Sequence, residues 1–235
     1  PPKPRHTTNS NHRYHKWKNL IHGFEPMAAN QLCAADITYI MLNNGDVCYL
    51  HLITDAYSRM IVGWELADTL RASITIKALE QAISQTGGVS LEGLIHHSDR
   101  GVQYCCDDYV RTLQTHKIKI SMTEDYNPTD NAIAERANGV IKTETVYSRK
   151  TFNSLEHARN VIGRFIHFYN YRRPHMSIGY KIPAVVHTET GAQKKMWKKK
   201  NYTKKMYNNE NNGISLPCRT TGEDDGCNHH TVYSI

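Results

Sequence analysis

A single aspartate lies within an apolar stretch, residues 32–41, that is rich in β-branched and aromatic side chains. This composition predicts a buried β-strand. Burying a carboxylate in an apolar strand costs free energy unless the group is paired or binds a metal, so Asp36 needs a partner from elsewhere in the chain. The fold must therefore bring at least one other functional element to the middle of this strand.

The pattern that follows predicts an α/β fold with a mixed five-stranded sheet. Asn43-Asn44-Gly45-Asp46 indicates a hairpin turn, and two further strands complete an antiparallel meander. Helices then alternate with strands, and both faces of the meander are apolar, so we expect helices on both faces. The later elements are expected to be strands at residues 47–54, 60–66, 93–97 and 118–122 and helices at residues 73–86, 107–116, 130–144 and 154–171.

The helix at residues 130–144 carries the second candidate acid. Its apolar residues recur at helical spacing and are expected to face the core. They are Ile133, Ala137, Val140 and Ile141. Glu135, Asn138 and Lys142 fall on another face, where a carboxylate and an ammonium would lie about 10 Å apart along the axis. The carboxylate could hold a metal and the ammonium could contact a phosphate; a solvated amphipathic helix is the alternative.

A third acid, Asp99, comes directly after a predicted strand and is followed by Gly101. Three carboxylates at neighbouring elements would hold hard cations such as Mg²⁺, which prefer oxygen ligands. Two such ions about 4 Å apart can activate the attacking oxygen and stabilise the leaving oxygen in phosphoryl transfer. Asp36, Asp99 and Glu135 are therefore the candidate metal ligands. Asp55 is predicted to form a turn, whereas His97 could contact substrate or pack in the core.

Charge is concentrated at the two ends of the chain. The net charge is +7, yet residues 1–18 and 194–205 are strongly basic and contain no acid, which leaves the rest mildly acidic. Basic arms suit a polyanion such as DNA, although a lysine run can also be a solvated tail. We expect residues 1–24 to be a basic linker or arm, residues 25–187 the folded core, and residues 188–235 a basic disordered tail.

No apolar run approaches the length of a membrane span, and no signal peptide is recognisable, so a cytoplasmic protein without a membrane partner is expected. The six cysteines are expected to be reduced thiols. Four residues of metal-binding types near the end of the tail are expected to be unstructured rather than zinc ligands. They are Cys218, Cys227, His229 and His230.

Four motifs, taken together, resemble the catalytic core of DDE insertion-sequence transposases, a family similar to retroviral integrases. The resemblance covers about residues 25–187 and includes an interval of 35 residues between Asp99 and Glu135. The motifs are Asp36-Ile37-Thr38-Tyr39-Ile40, His97-Ser98-Asp99-Arg100-Gly101-Val102-Gln103-Tyr104, Asp130-Asn131-Ala132 with Glu135-Arg136, and Tyr169-Asn170-Tyr171-Arg172-Arg173-Pro174-His175.

The resemblance implies a ribonuclease-H-like fold in which Asp36, Asp99 and Glu135 hold two Mg²⁺ ions, with Mn²⁺ as a substitute. It implies cleavage of double-stranded DNA ends by water, followed by attack of the freed 3′-hydroxyl on another phosphodiester. It also implies at least a dimer on DNA, in the nucleoid-associated cytoplasm of a bacterium. Lys142 matches a lysine that lies beside DNA in related integrases.

Further DNA contacts are expected from Asn138, Arg100, Arg172 and Arg173. Arg100 could instead stabilise the loop after its strand, and the two later arginines could cap a helix. Two other functions stay open: a ribonuclease-H-like nuclease that only hydrolyses, and an inactive DNA-binding remnant.

The chain departs from the family pattern at two points. It has Cys33 where relatives commonly carry tryptophan. No upstream helix-turn-helix that would read terminal repeats is recognisable either. A first residue of Pro1 rather than Met is compatible with a fragment or a processed chain that lacks an upstream segment.

Overall fold

The structure is a computed structural model that describes residues 9–124, 132–147 and 152–193, without the side chain of residue 147. Five strands form one sheet in the order β3-β2-β1-β4-β5. The first three strands pair antiparallel, whereas β4 pairs parallel with both β1 and β5. The strands are β1 (Leu32–Met41), β2 (Val47–Asp55), β3 (Ile61–Ala67), β4 (Ile95–Ser98) and β5 (Lys119–Met122). The predicted mixed five-stranded sheet is therefore confirmed, and each predicted strand is present.

Six α-helices follow the expected order within the described residues. They are α1 (Ala72–Ser84), α2 (Val102–Cys105), α3 (Asp107–Thr115), α4 (Ala132–Ile141), α5 (Leu155–Tyr171) and α6 (Pro183–Val186). The two helices that were not predicted, α2 and α6, have four residues each. A helix of one turn is too short to show a helical period in the sequence.

The sheet is covered on both faces, as expected, because alternate residues of its strands point to opposite sides. On one side, Ala35, Ile37 and Ile53 pack with buried residues of α1 and α3. On the other, Leu50 and Leu52 pack with residues of α4 and α5. The two cores fix α4 over the middle of β1.

The helix predicted for residues 130–144 differs from the structure at its second half. The α-helix ends at Ile141 and continues as a π-helix from Lys142 to Tyr147. The hydroxyl of Thr145 donates to the carbonyl of Ile141 at 2.7 Å, a side-chain bond across the junction. Hydrophobic spacing does not reveal the change, because one wider turn leaves too few residues to define a period. Asp130 and Asn131 lie outside the described residues.

Residues 9–24 contain no helix or strand, yet they contact the folded core. The indole of Trp17 packs against the core beneath α1 and α3. The N–H of Leu20 donates to Ser121 Oγ at 2.9 Å, and the carbonyl of Asn9 accepts from Val102 N–H at 3.0 Å. This part of the predicted linker is therefore docked along the sheet.

Among the described residues, none of the helices combines the length and apolar character that a bilayer crossing requires. The four cysteines within this part of the chain, Cys33, Cys48, Cys105 and Cys106, are free thiols.

Candidate active site

Asp36 lies at the middle of β1, opposite Leu52 of β2. Its neighbours Ala35 and Ile37 point into the core beneath α1 and α3, so the carboxylate points to the face that α4 covers. There Asn138 Nδ2 donates a hydrogen bond of 2.7 Å to Asp36 Oδ2. The partner that the sequence required for this acid is therefore, in part, an amide of α4.

The other two candidate acids come from adjacent elements. Asp99 directly follows β4, the parallel neighbour of β1, and its Oδ1 accepts from Gly101 N–H at 2.9 Å. Gly101 is suited to this turn, because a Cβ there would lie 2.9 Å from the same oxygen. Glu135 lies exposed in the first turn of α4. One loop and one helix thus flank the central strand with a carboxylate each.

The pKa of Asp36 reports how these groups interact. Burial raises this pKa from 3.8 to about 7, and the negative charge of Asp99 adds to the rise. Hydrogen bonds from Asn138 and from the backbone of Ile37 oppose it, and the charge of Glu135 contributes a smaller increase. The three acids therefore share one electrostatic environment, in which a positive charge would be favourable.

The three candidate acids are neighbours, but their side chains do not surround a position where a metal ion would sit. Within residues 9–124, 132–147 and 152–193, no three side chains of His, Cys, Asp or Glu are gathered closely enough to hold an ion. The donor set itself consists of carboxylate oxygens, the ligand type that Mg²⁺ and Mn²⁺ prefer. Its chemistry fits a hard divalent cation.

Lys142 contacts β1 rather than pointing away from the core. Its Nζ lies 4.3 Å from the centroid of the Tyr39 ring, at cation–π distance. Burial lowers the pKa of Lys142, and the charge of Asp36 acts in the opposite direction. The sequence suggested Lys142 but not Tyr39, because an aromatic residue in a strand usually indicates packing alone.

Asn138 is the clearest correction to the sequence interpretation. The helical period predicts Asn138 on the polar face of the helix, but the residue is buried, with 5% of its surface exposed. Its amide is bound to Asp36. The helical period puts Asn138 near Glu135. The one feature of the sequence that points to its role is Asp36, an acid in an apolar strand that needs a hydrogen-bond partner.

The three arginines expected to contact DNA differ in their surroundings. Arg172 is exposed at the end of α5. Arg173 forms an ion pair with Glu144, with Nη2 2.5 Å from Oε1, and also contacts His175. Arg100 is half-buried, and its carbonyl accepts from His12 Nε2 at 2.9 Å. Arg172 is the one of the three whose side chain faces solvent most fully.

Two other residues have structural roles. Asp55 Oδ1 accepts hydrogen bonds from the backbone of Tyr57 and from the N–H and hydroxyl of Ser58, which confirms the predicted turn. His97 is buried, and its Nδ1 is hydrogen-bonded to Ser121 Oγ at 2.8 Å. Packing is therefore the role that the structure supports for His97.

Two family models, both described as integrase core domain, match residues 26–128 and 116–183. The chain is 36% identical over 174 residues to a putative transposase of insertion sequence IS986/IS6110 from Mycobacterium tuberculosis, covering 73% of this chain and 62% of that protein. It is 39% identical over 184 residues to an uncharacterized 31 kDa protein of insertion element IS600 from Shigella sonnei, covering 77% and 66%. The chain therefore spans somewhat less than two thirds of these relatives.

Solved structures support the fold. The catalytic core domain of HTLV-2 integrase, in a structure with magnesium, superposes with a TM-score of 0.55 at 19% identity, covering 69% of this chain and 99% of that one. A chain of the simian T-cell lymphotropic virus intasome superposes with a TM-score of 0.60 at 19% identity, covering 83% and 66%. The ribonuclease-H-like architecture expected from the sequence is confirmed.

Proposed function

The chain belongs to the integrase core domain family of insertion-sequence transposases, and on that premise we propose that it catalyses metal-dependent cleavage of DNA ends and strand transfer. The reaction would replace one phosphodiester bond by another without a covalent protein intermediate. Water would attack first and break the bond between phosphorus and the 3′-oxygen, which would leave as a free 3′-hydroxyl. This hydroxyl would attack a second phosphodiester, forming a new phosphorus–oxygen bond and releasing the 3′-hydroxyl of the strand that is broken.

The observation that supports this proposal most directly is the environment of Asp36. A half-buried carboxylate, whose pKa is raised by burial and further by two neighbouring carboxylates, is costly for a fold that has no use for it. Asn138 keeps it in place through the 2.7 Å hydrogen bond. A chain selected for packing alone would favour an apolar residue at this position.

Asp36, Asp99 and Glu135 would hold two Mg²⁺ ions, with Mn²⁺ as a substitute. When bound, the ions would lower the pKa of the attacking water and stabilise charge on the leaving oxygen. Asn138 would orient Asp36, and Lys142, one α-helical turn after Asn138, would contact a phosphate of the substrate. Tyr39 would hold the lysine stem beside β1 through the contact described above.

The proposed substrate is double-stranded DNA, both as element end and as target, and the proposed assembly is at least a dimer on DNA. The exposed Arg172 and the half-buried Arg100 are the surface contacts that we propose, together with the basic arms at residues 1–18 and 194–205. The domain limits proposed are 1–24, 25–187 and 188–235.

The test is nicking and joining of a labelled duplex that carries the terminal sequence of the element encoding the chain, with Mg²⁺, Mn²⁺ or EDTA. Wild type is compared with Glu135→Gln, which keeps the shape and removes a ligand charge. Glu80→Gln is the matched control, because Glu80 is also exposed, on α1 at the opposite face of the sheet. We expect metal-dependent products from wild type and Glu80→Gln and none from Glu135→Gln.

Each product pattern separates the proposal from its alternatives. Joined strands would support strand transfer, whereas nicked strands without joined products would indicate a nuclease that only hydrolyses. The proposal would be contradicted if the chain binds DNA in EDTA but shows no metal-dependent cleavage of either the specific duplex or a supercoiled plasmid. That result would indicate an inactive DNA-binding protein.

A further inference from the structure

A polar cavity lies next to the candidate acids and is lined by groups of the opposite charge. It has a volume of about 130 Å³ and lies between the end of β2, the turn before β3, the first half of α4 and the segment after α5. Its polar lining consists of Thr54, Arg59, Arg136, Tyr169, His175 and Ser177. No aspartate or glutamate is among the described residues that line it.

Several of these polar groups are buried without a hydrogen-bond partner in the described part of the chain. They are Thr54 Oγ1, Arg59 Nε and Ser177 Oγ. Thr54 is only 1% exposed, so bulk water does not readily replace the missing partner. An unsatisfied buried donor or acceptor costs free energy, and three of them around one cavity indicate that a ligand or ordered water completes the site.

The charges around the cavity favour an anion. Burial lowers the pKa of Arg59, and the charge of the neighbouring Arg136 lowers it further. The charges of Tyr169 and Asp55 act in the opposite direction. Two acids whose charges act on lining residues, Asp55 and Glu144, are already engaged. Asp55 accepts four hydrogen bonds from the turn and from Asn30, and the carboxylate of Glu144 is bound by Arg173. Arg59 and Arg136 thus line the cavity, and no carboxylate of the described residues lines it with them.

We propose that this cavity binds a phosphate group at a position separate from the three carboxylates. A guanidinium presents parallel N–H donors that match two phosphate oxygens, and the hydroxyls of Thr54 and Ser177 supply further donors. The volume is about ten times the roughly 10–15 Å³ that a cavity needs to hold one water molecule, so a group of five heavy atoms fits.

The position of the cavity connects it with DNA. Thr54 follows Leu52 by two residues on the same face of β2, and Leu52 is the partner of Asp36 in the sheet. Arg136 directly follows Glu135 on α4. A phosphate bound here would therefore be a near neighbour of the candidate reaction centre, as a backbone phosphate of bound DNA would be. The assignment of DNA as the source rests on the proposed function, whereas the phosphate site itself does not.

The experiment measures binding of inorganic phosphate to the full chain in EDTA, by calorimetry and by the shift in melting temperature. Thr54→Val removes the buried hydroxyl and keeps the β-branched shape, so it should fold and weaken phosphate binding roughly tenfold. Arg59→Gln should weaken it at least as much. Arg111→Gln is the control, because Arg111 is an exposed arginine of α3 paired with Asp108, and it should bind phosphate as wild type does.

A short DNA duplex added in EDTA identifies the source of the phosphate. Competition between duplex and inorganic phosphate would support a DNA backbone phosphate as the natural ligand, and binding of both without competition would support free phosphate. Equal phosphate affinity in wild type, Thr54→Val and Arg59→Gln, or no affinity in any of them, would overturn the proposal. Asp36→Asn is expected to abolish nicking and leave phosphate binding intact, so failure of the proposed function would be distinguishable.

Discussion

Replacement of Asp36 by asparagine should make the metal-free protein more stable while it removes activity. The folded state raises the pKa of Asp36 from 3.8 to about 7. A carboxyl with a raised pKa destabilises the fold once pH exceeds its unfolded value, and the penalty grows until pH passes the folded value. At about 1.36 kcal/mol per unit, the penalty reaches about 4 kcal/mol at pH 8 and roughly 1.6 kcal/mol at pH 5.

The assay is urea denaturation of wild type and Asp36→Asn in EDTA at pH 5 and pH 8. Asparagine keeps an oxygen that accepts from Asn138, so the change isolates the charge. We expect Asp36→Asn to gain roughly 4 kcal/mol at pH 8 and less than half of that at pH 5. Addition of Mg²⁺ at pH 8 should stabilise wild type and have little effect on the variant, since ligands that bind the folded state stabilise it.

Asp55→Asn provides the comparison, because Asp55 is an acid of the same pair of strands. It is fully buried opposite Cys33, whereas Asp36 is half-buried. Its oxygens accept from donors of the turn, and an amide nitrogen cannot accept, so this variant should lose stability by about 1–3 kcal/mol. A gain for Asp55→Asn, or a loss for Asp36→Asn in EDTA at pH 8, would refute the reasoning that repulsion and burial dominate at Asp36.

Three further changes test other parts of the structure. Asn170→Leu should lower the free energy of unfolding in urea by about 2–5 kcal/mol, because Asn170 both accepts from and donates to the backbone of Ile61 at 2.9 Å; an unchanged midpoint would contradict this. Burial, aided by the charge of His97, lowers the pKa of His96 to about 4, so acid favours the unfolded chain and wild type loses stability between pH 7 and pH 5. His96→Phe should reduce this loss, measured as the free energy of unfolding, by about 2 kcal/mol. Lys142→Met should slow DNA nicking roughly tenfold or more without lowering the melting temperature, since the ammonium is half-buried, and equal rates would remove Lys142 from the site.

The sheet could be predicted from the sequence because alternation, turn residues and apolar runs act locally. Residues 32–41 were predicted as one strand and form β1 with those limits. The contacts of the site depend on distances that no local pattern encodes. Asn138 meets Asp36 across 102 positions of the chain, and Arg59 enters its cavity from a turn position with φ of +66°, outside any helical or strand period. The sequence therefore indicates the candidate acids, and the packing of the fold determines their neighbours.

The motif at residues 169–175 shows how a family signature can act on chemistry indirectly. Tyr169 is buried with its ring 4.4 Å from that of His175, Asn170 binds the backbone of β3, and Arg173 binds Glu144 of the π-helix. These contacts join the end of α5 to the sheet and to the continuation of α4. Glu135 and Arg136 are consecutive on α4, so the same attachment positions a candidate metal ligand and a wall of the basic cavity. A change in this motif should consequently alter both sites at once, even though Tyr169 and His175 reach only the cavity.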